Sequence, residues 1–290
     1  VLAAALVSLA PGATGLAGAD DDARARVQDR PSRIISLVPA VTEMLFAIGA
    51  ADQVIGVSSF DTYPPEVSTR ARVGALIDPD FERILSLRPD LVVVYGTQAE
   101  LVGRLERAGI PIFSYEHAGL ADVATTVAGL GARIGRSPGA AAVVRRLLDG
   151  LEAVRKSVAG RPRPRVMLLF GREAGALRNM YASGGVGFLH DLVVLAGGAD
   201  VFDDVERQSV QVSAEMLLSR APDVLIEAHP SSWRTADIER EKAVWRALPA
   251  VPAVRTGRIH IVADDRLFIP GPRVAEAAEL LADIIGGRAR

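Results

Sequence analysis

Along this chain, short apolar runs alternate with segments whose apolar residues recur at helical spacing. Arg33–Val38 (RIISLV), Val54–Val57 (VIGV), Leu91–Tyr95 (LVVVY) and Ile110–Tyr115 (IPIFSY) read as buried strands, rich in β-branched residues. AVTEMLFAIG follows the first strand and reads as a helix stopped by Gly49; another helix runs from the third strand through Arg107. Strands alternating with helices predict a parallel sheet covered by helices, an α/β lobe over 31–136.

The alternation stops at Ser137. SPGAAAVVRRLLDGLEAVRKSV, Ser137–Val158, has helical periodicity and no strand signal. Ser137 is the expected N-cap, and Pro138 suits the first turn. At 1.5 Å per residue this helix is a rod about 30 Å long, and it connects two halves over 137–160. The basic, Pro-rich GRPRPR ends it. A second α/β pattern then fills 161–290. VMLLFG, DVLIEA and RIHIVA read as strands; GFLHDLVVLAGG and PRVAEAAELLADII read as helices. MYASGG and SGGVGFLH read as a Gly-rich loop leading into a helix. The predicted fold is two α/β lobes with central parallel sheets, joined by a single long rigid helix.

A repeat supports two related lobes. Phe81–Tyr95 (FERILSLRPDLVVVY) aligns with Ala214–Ala228 (AEMLLSRAPDVLIEA), so that Glu82 matches Glu215 and Pro89-Asp90 matches Pro222-Asp223. Each copy predicts a short helix, a Pro-Asp turn and a buried strand. Two lobes of this kind leave a cleft between them, where small ligands bind.

Apolar residues make up 49% and charged residues 23% of the chain, enough to build a sizeable core. The net charge of −2 provides no field for a nucleic-acid backbone, so no nucleic acid is expected as a partner. With no cysteine there are no disulfides and no thiolate chemistry. Residues 1–30 begin apolar and Ala-rich and turn acidic. They read as a residual signal peptide with a disordered leader, which implies secretion to the periplasm.

Ligands of α/β folds collect at the carboxyl ends of strands. The side chains there are Tyr95, Glu116 and His117, Phe170 and Arg172, His229, and Asp264, Asp265, Arg266 and Phe268. Tyr63 in SFDTYPP and Tyr181 in MYASGG add stacking surfaces. Trp233 is a rim candidate, and Trp245 reads as core. His117 and His229, with Glu116 and Glu227, one pair from each lobe, could converge on a zinc or manganese ion, and no helical His spacing supports them. The chain has neither a G-x-S-x-G elbow nor a Walker motif, so a cleft enzyme has no catalytic constellation and the expectation is a non-enzyme. Glu82 and Glu215 each lie in the first turn of a helix, where the macrodipole favours a carboxylate; one acidic knob per lobe also suits docking on a basic partner.

RIISLVPAVTEMLFAIGAADQVIGVSSFDTYPP resembles the opening of the periplasmic substrate-binding proteins of ABC importers for cobalamin, iron-siderophore and haem, and fits the cobalamin branch best. The likeness continues through DPDFERILSLRPDLVVV, LAGGADVF, VSAEMLLSRAPDVLI and PGPRVAEAAELLADII, covering Arg33 to Gly286. It implies a monomer whose lobes open only slightly and which takes a bulky metal chelate, a corrinoid or an iron chelate, with no cofactor of its own. It implies docking of Glu82 and Glu215 on arginines of a transmembrane permease, and aromatic cleft residues near Tyr63, Tyr95 and Phe170. A tryptophan and the haem-ligating tyrosines that the family carries near VGALIDPDF are absent here. A basic, siderophore-type cleft would draw on Arg172, Arg178 and Arg266.

Overall fold

The computed structural model describes residues 30–117 and 119–288, so the expected signal segment lies outside the described residues. The chain runs β1 (Ile34–Ser36), α1 (Pro39–Ala47), β2 (Val54–Val57), β3 (Ala71–Arg72), α2 (Phe81–Ser86), β4 (Leu91–Tyr95), α3 (Ala99–Arg107), β5 (Ile112–Tyr115) and α4 (Ala121–Arg133). These strands form one parallel sheet in the order β3-β2-β1-β4-β5. The long helix α5 (Ser137–Val158) follows.

The second lobe comprises β6 (Arg165–Gly171), β7 (Met180–Ser183), α6 (Phe188–Leu195), β8 (Ala199–Asp200), β9 (Ser209–Val212), α7 (Ala214–Arg220), β10 (Val224–His229), α8 (Thr235–Val244), α9 (Pro252–Arg255), β11 (Ile259–Ala263) and α10 (Val274–Ile285). Its sheet is ordered β11-β10-β6-β7-β9, and β8 also pairs with β6. This sheet is mixed: β7 and β9 run antiparallel to their neighbours. MYASGG, expected as a loop, thus begins with a strand. That strand is recruited by pairing with β6 and β9, which no local pattern announces.

The repeat recurs in its capping contacts, with differences in the number of bonds and in the capping residue. The Asp90 carboxylate accepts from the amides of Ser32 and Arg33 at 2.8 Å, and Asp223 accepts from the amide of Arg165 at 3.0 Å. The Arg33 guanidinium donates to the Leu87 and Arg88 carbonyls at the end of α2, and that of Arg165 donates to the Arg220 carbonyl at the end of α7. In both lobes the next turn needs a left-handed residue, Arg88 at φ 48° and Ala221 at φ 43°. Asp80 and Ser213 cap the two helices by accepting from the amides of Arg83 and Met216.

The connector differs from expectation in its cap. Arg136, not Ser137, occupies the N-cap, without a side-chain hydrogen bond to the helix, and Ser137 is already helical. The Arg136 guanidinium instead reaches the Asp52 carboxylate at 2.7 Å. Pro138 sits in the first turn as expected. Glycines bring α5 close to both lobes. A Cβ on Gly139 would lie 2.3 Å from the Ile48 carbonyl oxygen after α1, and one on Gly150 would lie 2.8 Å from Ala275 in α10. One buried apolar cluster runs from Ile34 and Val41 through Val143 and Leu147 to Leu281, so the lobes share a core along the rod. Trp245 is wholly buried in a second cluster within the C-terminal lobe, as expected.

Candidate functional site

In each sheet the strand order reverses direction beside the first strand of the lobe, β1 next to β4 and β6 next to β10. Switch points of this kind are where α/β sheets bind ligands, and segments that follow β1, β5, β7 and β11 meet across the lobe boundary. Three contacts mark the meeting. Arg273, which caps α10, forms a bidentate pair with Glu43 of α1, its Nε 2.8 Å from Oε2. His117 lies edge-to-face with Phe188 at 5.4 Å. The Leu120 amide donates to the Asp191 carboxylate at 2.7 Å.

The N-terminal wall is aromatic. Tyr95 ends β4 and meets Tyr115 edge-on at 5.4 Å; Tyr115 stacks on His117 at 6.2 Å. With Phe188 they form a ladder from one lobe to the other. Burial raises the Tyr95 and Tyr115 hydroxyls above the ordinary phenol value, and it lowers His117, favouring the neutral imidazole. Neither nitrogen of His117 nor the Tyr115 hydroxyl has a hydrogen-bond partner among the described residues. Tyr63 stands 43% exposed in the SFDTYPP loop, and the Arg273 guanidinium lies 3.8 Å over its ring. Phe60 of the same loop is 66% exposed. Within that loop Asp61 is buried with neither carboxylate oxygen hydrogen-bonded among the described residues, and burial pushes it up to about 6.

In the C-terminal wall, His229 ends β10, stacks on Trp233 at 3.5 Å and sets Nε2 2.7 Å from Glu227. Phe170 is half-buried near the end of β6, and Tyr181 is exposed on β7 opposite Gly171. Phe268 is exposed after β11. Arg266 is held by Asp264, its Nε 2.9 Å from Oδ1, and by Glu276 at 2.9 Å.

Arg172 requires a correction. Its side chain is 1% exposed, with Nε 2.9 Å from Glu227 and Nη1 2.8 Å from Glu241. Trp245 donates to the other Glu227 oxygen at 2.9 Å. This guanidinium neutralises buried carboxylates inside the lobe and offers a ligand nothing. Position after a strand end cannot reveal this, because Glu241 comes from a distant helix. Arg178 is exposed and pairs with Glu173 at 2.6 Å. The His117 and His229 pairing is not assembled either: His229 is committed to Glu227, and no group of three or more His, Cys, Asp or Glu side chains suited to a metal ion occurs among the described residues. Glu82 and Glu215 are both exposed in the first turns of α2 and α7.

Sequence reasoning missed Glu43, Asp61, Phe60, Phe188 and Arg273. SFDTYPP was visible as a rigid loop, and Phe60 and Asp61 lie within it. Glu43 and Arg273 sit in segments that carried only helical signals, 230 residues apart.

The model of the periplasmic binding protein family matches residues 34–265, most of both lobes. The chain belongs to the periplasmic binding protein family. A vitamin B12-binding protein of Salmonella typhimurium is 31% identical over 255 residues, covering 87% of this chain and 90% of that protein. Among solved structures, the periplasmic vitamin B12 binding protein of Vibrio cholerae superposes with a TM-score of 0.76 at 24% identity, covering 89% of this chain and 98% of that one. A periplasmic haem-binding protein from Roseiflexus has a TM-score of 0.75 at 24% identity, over 89% and 99% of the two chains. These two neighbours share the fold, two α/β lobes on one long helix. Periplasmic binding proteins of this family are substrate-binding transport proteins: they hold a small molecule and deliver it to the permease of an ABC importer.

Proposed function

We propose that this periplasmic binding protein captures cobalamin or a related corrinoid between its lobes and hands it to a membrane permease, on which Glu82 and Glu215 dock. It acts in the periplasm as a monomer, without catalysis and without a cofactor of its own; the metal arrives inside the cargo.

One observation carries the choice of cargo. The arginines that follow the strand ends of the C-terminal lobe are already neutralised: Arg172, inside the lobe, by Glu227 and Glu241, Arg266 by Asp264 and Glu276, and Arg273, at the joint, by Glu43. An anionic chelate, such as haem with its propionates, needs unpaired cationic donors. A large, uncharged ring system bordered by amides needs stacking walls instead, and Phe60, Tyr63, Tyr95, Trp233 and Phe268 supply them. The vitamin B12-binding relative in Salmonella supports the same cargo.

The test is a panel of cyanocobalamin, haemin and a ferric hydroxamate, each titrated calorimetrically and followed by thermal unfolding. Cyanocobalamin is expected to bind and to leave the protein chemically unchanged. At a hundredfold excess over Kd it stabilises the native state by about 2.7 kcal/mol. Heat released by haemin or the hydroxamate alone moves the cargo to an iron chelate.

A further inference from the structure

The pair that joins the lobes also touches a candidate ligand wall. Glu43 is almost wholly buried, and Arg273 grips both of its oxygens. The same guanidinium covers one face of Tyr63 at 3.8 Å, while the tyrosine remains 43% exposed. Three segments far apart in sequence therefore converge: α1 of the N-terminal lobe, the SFDTYPP loop and the start of α10.

We propose that Arg273 is a positioning residue for ligand binding, which holds Tyr63 as a one-sided stacking wall and couples that wall to the joint between the lobes through Glu43. This rests on the corrinoid reading of the cleft. An exposed tyrosine samples several rotamers, and ordering it upon binding costs affinity. A guanidinium over one face removes that freedom beforehand. It also draws electron density from the ring, so the open face suits an extended planar partner better than a second cation. Glu43 fixes the guanidinium plane by its bidentate grip, which a lysine at 273 cannot reproduce. Glu276 and Asp265 also face this pair, and Arg266 takes up Glu276.

A double-mutant cycle tests it. Cyanocobalamin affinity is measured for the wild type, Arg273→Met, Tyr63→Ala and the double variant, with Tyr63→Phe as the ring-retaining control. Arg273→Met is expected to weaken binding about tenfold in the native background and less than twofold once Tyr63 is alanine. Tyr63→Phe should keep the full sensitivity to Arg273. Equal losses in both backgrounds, or no loss, overturn the proposal. Should Arg273→Met fail to fold, Arg273→Lys replaces it, with an intermediate loss expected under the same criterion. If the wild type binds no cyanocobalamin, the functional reading fails by itself. The positioning role is then judged on ligand-free protein by amide exchange: faster exchange confined to 58–63 in the Arg273 variant upholds it, and unchanged or uniformly faster exchange overturns it.

Discussion

Asp61 is a buried carboxyl whose surroundings favour its proton. Its ordinary value of 3.8 is pushed up to about 6, first by burial, with Glu43 nearby adding to the effect and Arg72 opposing it. A carboxyl that holds its proton more tightly in the folded than in the unfolded chain contributes most below pH 3.8. That contribution is lost as the pH rises through about 6. The difference corresponds to about 3 kcal/mol. Asp61→Asn should therefore gain stability relative to the wild type by roughly that amount between pH 4 and pH 7, measured by urea unfolding at both; a pH-independent difference would contradict the burial argument. Arg172 yields the opposite kind of prediction. Arg172→Met leaves Glu227 and Glu241 buried without their guanidinium and should cost about 3–5 kcal/mol. The corrinoid affinity of the folded fraction should stay within twofold, since the side chain reaches no ligand. A large affinity loss at unchanged stability would return Arg172 to the binding wall.

Among the elements, the connector shows where propensity and packing conflict. Gly139 lies within α5, where alanine is the better helix former by about 1 kcal/mol. Yet a Cβ there meets the Ile48 carbonyl oxygen at 2.3 Å, and that oxygen belongs to backbone that cannot step aside. Gly139→Ala should thus destabilise by about 1–3 kcal/mol despite the gain in helix propensity, as read from denaturant midpoints. This close approach to the N-terminal lobe, with that of Gly150 to Ala275 of α10, explains why the connector packs as part of both lobes and not as a tether. The short helices α2 and α7 are held by matching arginines at their ends, Arg33 and Arg165. Arg33→Ala and Arg165→Ala should each cost about 1–2 kcal/mol and add independently, because they serve separate lobes.

At the scale of the whole molecule, one core cluster extends through both lobes and the rod. Any opening that keeps α5 packed would then be limited to small rotations, and thermal unfolding should show one cooperative transition; two resolved transitions would mean that the lobes are stable separately. The proposed docking on a permease also belongs at this scale, because contact through Glu82 and Glu215 would need both lobes at a fixed separation. Replacing Glu82 and Glu215 together by alanine should leave corrinoid affinity unchanged and weaken stimulation of the permease's ATPase several-fold in reconstituted vesicles. Loss of ligand affinity instead would mean that these carboxylates line the pocket.

The linear chain was enough to determine the α/β alternation, the long helix and the duplicated helix–turn–strand unit, since each depends on spacing within a few turns or residues. Val54–Val57 and Leu91–Tyr95 are strands because of their own side chains. Tertiary structure alone decided the strand at Met180–Ser183, which exists through its partners. It also decided the burial of Arg172 and the pairing of Glu43 with Arg273. A guanidinium looks the same in a sequence whether it faces solvent, a ligand or a buried carboxylate. What distinguishes these cases is the charge brought beside it from elsewhere in the chain, and only folding sets that distance.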